Sequence, residues 1–206
     1  MRRLLAIAAT LFLAQCVTQR EDHRFRVGQE PQGMAFIGLA EATGATSPIY
    51  TMLWRRIDPS TGAFMPLNGQ TGFETRTDAG GSIRIDGIPG EFEFARLSPG
   101  TYGLDSVYAL IPAGHVNYFA PGIIVGPDRP TFEIRAGEAI YLGIWQVSLN
   151  DTTAVTQLWR LDPRDGDAAT RRANQTIGNV VLRETGSRAV QCAPHRLNTI
   201  SQRQIC

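Results

Sequence analysis

The fold is decided by one stretch, Gly90–Leu104, which reads GEFEFARLSPGTYGL. Phe92 and Phe94 alternate with glutamates, as in a strand that has one face on a core and one in water. Pro99 and Gly100 suit the central positions of a type II turn, because Pro presets φ and Gly takes a positive φ at little cost. The stretch therefore predicts a β-hairpin whose two strands are joined by a Pro-Gly turn.

Short alternating runs, separated by Gly, Pro, Asn and Asp, continue on both sides of this stretch. Residues 139–149 are apolar on both faces, with Ile140, Leu142 and Ile144 expected on one face and Tyr141, Trp145 and Val147 on the other. A strand of this kind is central or covered, which favours two packed sheets over one. We expect an all-β fold, mainly an antiparallel β-sandwich, over residues 33–166. A short helical or irregular C-terminal appendage is expected over residues 167–206, with Asp167 capping a helix at residues 168–174.

Two motifs resemble known proteins. The sequence Leu97-Ser98-Pro99-Gly100-Thr101-Tyr102 resembles the Leu-x-Pro-Gly-x-Tyr hairpin of carboxypeptidase-regulatory-like and prealbumin-like β-sandwich modules, and hairpins in proteobacterial envelope lipoproteins. Arg135–Gly143, RAGEAIYLG, is similar to the Gly-Glu-x-x-Tyr-x-Gly strand start of those lipoproteins. The resemblance implies a β-sandwich of a usually non-catalytic kind, and it carries no active-site residue to this chain.

Residues 1–15 have the form of a secretory signal peptide. Arg2 and Arg3 precede an apolar run, Leu4–Ala14, which is far shorter than the roughly 20 residues that span a bilayer. A segment of this kind directs the chain out of the cytoplasm, and it is excluded from the fold.

The run ends in Leu13-Ala14-Gln15-Cys16, which resembles the lipobox of bacterial lipoproteins, although Gln15 departs from the small residue usual there. The resemblance implies that Cys16 is lipidated and begins the mature chain, and that the protein is an outer-membrane lipoprotein facing the periplasm or the cell surface. Residues 16–32 then form a polar tether. The alternative is a secreted protein in which Cys16 is incidental.

Acylation of Cys16 leaves Cys192 and Cys206 as a pair. A disulfide closing a loop of about 15 residues restricts the unfolded state by about 3 kcal/mol in the chain-entropy model. We expect this disulfide, because an oxidising compartment disfavours free thiols; two unpaired thiols are the alternative. His195 lies nearby, but the spacing of a zinc site is missing, so no metal is expected.

Two segments share letters: LWRRIDPSTG at residues 53–62 and LWRLDPRDG at residues 158–166. Each Trp comes sixteen positions after the Gly of a short apolar run, Ile37-Gly38-Leu39 or Leu142-Gly143-Ile144. One interpretation is a duplicated module with Trp-Arg binding faces; the other is two hairpins of similar turn chemistry, with each Trp in a core.

Two groups of side chains are candidates for a binding surface. Trp with Arg suits cation–π and bidentate contacts to an anionic partner such as envelope polysaccharide or lipid headgroups, and loop aromatics can stack on sugars or peptides. The candidates are Trp54, Arg55, Arg56, Trp159 and Arg160 in the first group, and Tyr108, His115, Tyr118 and Phe119 in the second. Ordinary core packing of the aromatic residues is the alternative.

Composition excludes several chemistries. All 20 basic residues are Arg, so neither a Schiff-base lysine nor a Walker-type phosphate loop exists. Nearly balanced charge, +1 overall, gives no sign of nucleic-acid binding. No Gly-x-Ser-x-Gly elbow is present, His115 has no visible partner, and Glu91 and Glu93 are expected in solvent. No cofactor is implied.

The sequence leaves three functions open as hypotheses. The first is a non-enzymatic cell-envelope lipoprotein that is held at the membrane by its lipid and binds or supports an envelope protein or polysaccharide. The second is a hydrolase of cell-wall or surface glycan. The third is an accessory subunit that pairs with a partner through a sheet edge.

Overall fold

The structure is a computed structural model that describes residues 24–41, 48–69, 71–78, 82–85, 88–113, 116–121, 128–151, 153–172, 177–191, 195–196 and 204–205. Over these residues the chain is mostly β, as the sequence predicts, with two six-stranded sheets and one short helix. Sheet A contains β1 (Gly33–Glu41), β4 (Ser82–Ile85), β5 (Ile88–Leu97), β9 (Ala139–Asn150), β10 (Thr153–Arg160) and β11 (Val181–Leu182). Sheet B contains β2 (Ile49–Arg56), β3 (Gly72–Arg76), β6 (Gly100–Ala113), β7 (Val116–Pro121), β8 (Asp128–Ile134) and β12 (Gly186–Ala189). Helix α1 spans Pro163–Arg172, and the short strands β13 (His195–Arg196) and β14 (Gln204–Ile205) pair with each other.

The two sheets form a sandwich. Sheet A has the strand order β10-β9-β1-β5-β4, and sheet B has the order β12-β8-β6-β2-β3, with β7 also paired to β6. Most neighbours are antiparallel, but β9 runs parallel to β1 and to β11. The main core lies between the sheets and is filled from both of them by residues that include Ile37, Leu97, Trp54, Tyr102 and Trp145.

The hairpin predicted at Gly90–Leu104 is wrong. β5 belongs to sheet A and β6 to sheet B, so the Pro99–Gly100 turn carries the chain from one sheet to the other. Gly100 has φ +152°, and the Tyr102 hydroxyl donates to the Ser98 carbonyl at 2.9 Å across the turn. Leu97 and Tyr102 therefore face the core from opposite sheets, an arrangement that the same turn residues permit.

A bulge in β9 corrects the faces predicted for this strand. Gly143 has φ +82°, and a Cβ there would lie 2.7 Å from the Arg160 carbonyl oxygen, so the position requires glycine. Register with both neighbouring strands shifts at this point. Trp145 consequently joins Leu142 in the main core, while Ile144 faces the other side.

A second cluster covers the outer face of sheet A. Phe36 stacks on Tyr141 at 4.9 Å between ring centroids, and α1 packs Ala169 against them. The helix begins at Pro163 and not after Asp167, because the Asp162 carboxylate accepts from the Arg164 N–H at 2.9 Å. The helix thus begins five residues earlier than predicted and ends two residues earlier.

The segment 177–191 links the two sheets. β11 pairs with β9 in sheet A, and β12 pairs with β8 in sheet B. Val190 then packs with Ile57 and Phe64 against sheet B. Two short strands of the C-terminal region, β11 and β12, therefore pair with the sheets of the sandwich.

Candidate functional site

The two tryptophans of the repeated letters have different surroundings. Trp54 is fully buried between the sheets, with its ring 5.5 Å from Phe132 and 5.6 Å from Trp145. Trp159 is half-buried and packs against the outer cluster of sheet A. A ligand at the surface has no access to the Trp54 ring, in agreement with the core-packing alternative.

Arg55 forms a buried ion pair on the outer face of sheet B. Its Nη1 lies 3.1 Å from Asp105 Oδ2, and its Nε donates to the Met65 carbonyl at 3.0 Å. Its guanidinium also lies 5.2 Å from the Phe64 ring centroid. With 3% of its surface accessible, Arg55 fastens the loop after β2 to the sheet.

Asp105 owes its position to a bulge. Register between β2 and β6 shifts between Leu53 and Trp54, so that Asp105 is the extra residue of β6. Burial raises the pKa of its carboxyl to about 6, against the opposing charges of Arg55 and Arg129. Burial also lowers the pKa of Arg129. Three ionisable groups thus share one buried site that sequence spacing did not reveal.

Arg160 makes a local ion pair. Its Nε lies 2.5 Å from Asp165 Oδ2, at the start of α1, and its side chain is 28% exposed. Hydrogen bonds from Arg164 hold the pKa of Asp162 down at about 2. Burial, followed by the charge of Asp165, raises the pKa of Tyr141, whose hydroxyl has no hydrogen-bond partner in the described chain.

The remaining candidates are dispersed. Arg56 is half-buried, and its Nε lies beside Gly100, where a Cβ would come within 2.7 Å. Tyr108 is buried, and its hydroxyl donates to Glu74 Oε1 at 3.3 Å; burial raises its pKa to about 12. The β7 backbone pairs Tyr118 with Ile111 and Phe119 with Leu110. Cys16, His115, Cys192 and Cys206 lie outside the described residues.

Two glutamates expected in solvent are half-buried. In the β1–β5 ladder, Glu93 lies opposite Ile37 and Glu91 opposite Leu39, both of which belong to the main core. Directly opposed residues share a face, so the glutamates lie on the inner side of sheet A. Burial, followed by the charge of Glu91, raises the pKa of Glu93. Phe92 and Phe94 instead face the outer cluster, the reverse of the simple expectation.

A shallow depression of about 150 Å³ lies on the β9–β10 hairpin. It is lined by Gln146, Ser148, Val155, Thr156 and Gln157. The Gln157 amide donates to the Gln146 side-chain oxygen at 3.2 Å. The lining offers amide and hydroxyl groups, which suit a neutral, hydrogen-bonding ligand or polypeptide.

Within the described ranges, no group of three His, Cys, Asp or Glu side chains is placed to hold a metal ion. Comparison of the chain with protein-family models, with curated proteins and with solved structures finds no match.

Proposed function

We propose that this chain is a non-enzymatic cell-envelope lipoprotein, anchored in the outer membrane through Cys16, that binds or supports another envelope component. The observation that carries the proposal is the position of Cys16, which is two positions after the end of the apolar run and nine positions before the buried Phe25. A lipidated cysteine there would join the sandwich through a short polar segment.

The start of the described chain supports this arrangement. Phe25 is 2% exposed and packs with Met34 and Ala139, while the Arg96 guanidinium lies 5.9 Å from its ring centroid. The Gly28 N–H donates to the Gly137 carbonyl at 2.8 Å. The fold therefore holds the chain firmly from residue 25, so a lipid at Cys16 would anchor the whole sandwich. Among the helices of the described chain, none has the length and apolarity to cross a membrane.

Cys16→Ser tests the anchor. Labelling with a radioactive fatty acid is expected to vanish, and the protein is expected to move from the membrane to the soluble fraction. The matched variant Cys192→Ser should keep both label and location. Unchanged labelling and fractionation in Cys16→Ser would show that no lipid is attached there.

The envelope location goes with a proposed Cys192–Cys206 disulfide. The pairing of β13 with β14, His195 opposite Ile205, turns the chain back on itself between the two cysteines and supports the proposal. Thiol alkylation under denaturing, non-reducing conditions should leave both cysteines unmodified. Alkylation of both would rule the bridge out.

A second candidate function is hydrolysis of cell-wall or surface glycan, and the half-buried Glu91 and Glu93 favour it. A carboxyl of raised pKa beside a second carboxyl is the arrangement that glycosidases use, the first as acid and the second as base or nucleophile. Release of reducing ends from isolated cell wall tests this. Activity that Glu93→Gln abolishes and the exposed-site control Glu133→Gln retains would support hydrolysis; no release by the unmodified chain would exclude these wall glycans as substrates.

A further inference from the structure

We propose that the depression on the β9–β10 hairpin is a binding site for uncharged saccharides that carry N-acetyl groups. The inference rests on the proposed function and names the class of envelope component that the chain binds. The depression has a volume of about 150 Å³ and is lined by Gln146, Ser148, Val155, Thr156 and Gln157. None of these described residues is charged, so the lining favours an uncharged ligand.

Two glutamines of the lining form a pair of fixed amides. Gln146 and Gln157 lie directly opposite each other in the β9–β10 ladder, and the Gln157 amide donates to the Gln146 side-chain oxygen at 3.2 Å. The pair retains the N–H groups of Gln146 as donors and the side-chain oxygen of Gln157 as an acceptor. An acetamido group provides one carbonyl acceptor and one N–H donor, so it complements the two glutamines.

Strand register places the rest of the lining beside this amide pair. Val155 lies opposite Ser148, in the next pair of the ladder on the same face. Ala154 belongs to the main core, so alternation puts Val155 and Gln157 on the outer face of sheet A. Val155 therefore offers an apolar contact to the methyl of an acetamido group, and the Ser148 hydroxyl offers a hydrogen bond to a sugar hydroxyl.

An aromatic ring lies further along the same face. Trp159 follows Gln157 by two positions, which is about 7 Å along a strand. Trp159 packs with the outer cluster of sheet A and is half-buried, so part of its ring remains open to solvent. Ala40 of the same cluster lies opposite Gln146 in the β1–β9 ladder. The apolar side of a sugar ring can therefore stack on Trp159 while its acetamido group lies on the amide pair.

The volume of the depression suits one sugar unit. A bound water needs at least about 10–15 Å³ of such space. The depression therefore has room for about ten atoms of that size, comparable with the non-hydrogen atoms of one monosaccharide unit. A shallow site for a ligand of this size should bind weakly, with a dissociation constant on the order of millimolar.

Isothermal titration calorimetry of the full chain carrying Cys16→Ser tests the proposal without a lipid, so a failure here leaves the acyl-labelling test of the anchor unaffected. The probe is the β-linked trimer of N-acetylglucosamine. The matched ligand is the glucose trimer of the same linkage, which lacks acetamido groups. The first trimer should bind about fivefold or more tightly than the second. Absence of binding by the N-acetylglucosamine trimer, or equal affinity for the two, overturns the proposal.

Substitutions in the lining test the location of the site. Gln146→Glu replaces the donor N–H groups with a carboxylate oxygen at the same size, and Gln157→Ala removes the acceptor. Each should weaken binding of the N-acetylglucosamine trimer about fivefold or more, at a temperature where circular dichroism shows the variant folded. Gln29→Ala, at an exposed glutamine outside the depression, is the matched control and should change nothing. Unchanged binding in both lining variants would place the saccharide elsewhere and overturn the site.

Fluorescence of Trp159 gives a second readout. Trp54 and Trp145 are buried, so the change in emission on binding should come from Trp159 and vanish in Trp159→Phe. A blocked alanine tetrapeptide, which carries amides without sugar rings, tests a polypeptide as the ligand. If it binds as tightly as the N-acetylglucosamine trimer, the site selects amides and not saccharides, and the proposal is overturned.

Discussion

The segments Leu53–Gly62 and Leu158–Gly166 share the letters Leu-Trp-Arg and Asp-Pro, yet they differ in burial, partners and backbone. The first lies on β2, in the interior of sheet B, and runs into a turn. The second lies on β10, at an edge of sheet A, and runs into α1. Two segments of similar sequence thus have different structures, because one lies on an interior strand and the other on an edge strand. The burial of their side chains depends on the position of the strand in its sheet.

The backbones before the two tryptophans differ as well. β1 and β2 lie in opposite sheets, whereas β9 and β10 form a hairpin within sheet A. The matched spacing from Gly to Trp therefore does not correspond to a repeated hairpin. In the first region the chain between the Gly and the Trp crosses from sheet A to sheet B, and in the second it stays within sheet A.

The largest contrast is expected at the tryptophans. Trp54→Ala leaves a cavity in the main core and should lower the free energy of unfolding by about 4 kcal/mol. Trp159→Ala removes a half-buried ring and should cost about 1–2 kcal/mol, in proportion to the smaller buried area. Urea unfolding followed by circular dichroism measures both. Equal losses would show that the half-exposed site is packed as tightly as the core.

The next contrast concerns the arginines. Arg55→Met strands Asp105 in a buried site and should cost about 3 kcal/mol at neutral pH. Arg160→Met breaks a pair whose arginine side chain is 28% exposed, so solvent reaches part of it, and the loss should be smaller than that from Arg55→Met. The same unfolding measurement applies. If Arg55→Met lowers the free energy of unfolding no more than Arg160→Met does, the greater burial of the Arg55 pair does not make it the more important of the two.

The two regions should also respond to pH in opposite directions. Burial holds the pKa of Asp105 at about 6, above its ordinary 3.8, so the folded chain binds a proton that the unfolded chain releases. The contribution of Asp105 to stability therefore rises as pH falls from about 7 to 4, by roughly 2–3 kcal/mol. Asp162, with its pKa near 2, contributes stability that is lost as pH falls below 4. Unfolding of the unmodified chain is compared with that of Asp105→Asn and Asp162→Asn from about pH 7 to about pH 2. As pH falls, the contribution of Asp105 should rise in the upper part of this range and that of Asp162 should fall in the lower part.

The smallest contrast lies in the Asp-Pro turns. Asp162 caps a helix, so Asp162→Ala should lower the unfolding temperature by removing the cap. Asp58 accepts from the Ser60 N–H at 2.8 Å in an exposed turn that Gly62 ends with φ +70°. Asp58→Ala should cost less than the loss of the helix cap. Thermal unfolding ranks the two variants, and a reversed order would mean that the turn is the more important of the pair.

Alternation and turn residues were enough to predict an all-β sandwich. They did not predict which strands are neighbours, because Pro99 and Gly100 serve a hairpin and a crossing between sheets equally well. Nor did they reveal the bulges at Asp105 and Gly143, which reverse the face of every later residue in their strands. The two Asp-Pro segments diverge at their glycines: Gly62 takes a left-handed conformation, whereas Gly166 lies within α1 and the helix continues beyond it.

The candidate sites were harder to predict than the fold. Arg55 and Asp105 are fifty positions apart, so their contact depends on the pairing of β2 with β6 and on its bulge. Glu91 and Glu93 alternate as a solvated pair would, but the strand presents them to the inner side of the sheet. In both cases the chemistry depends on register, which single-sequence patterns do not contain.

The burial of Phe25 has a consequence for distance. Phe25 comes nine positions after Cys16, and a fully extended chain covers about 3.3–3.6 Å per residue. The distance between Cys16 and Phe25 is therefore at most about 30 Å. If Cys16 carries the lipid, Phe25, where the chain first packs into the sandwich, stays within about 30 Å of the membrane surface, roughly the thickness of a bilayer core. The anchored domain then works on what lies beside that membrane, and a distant partner has to come to it.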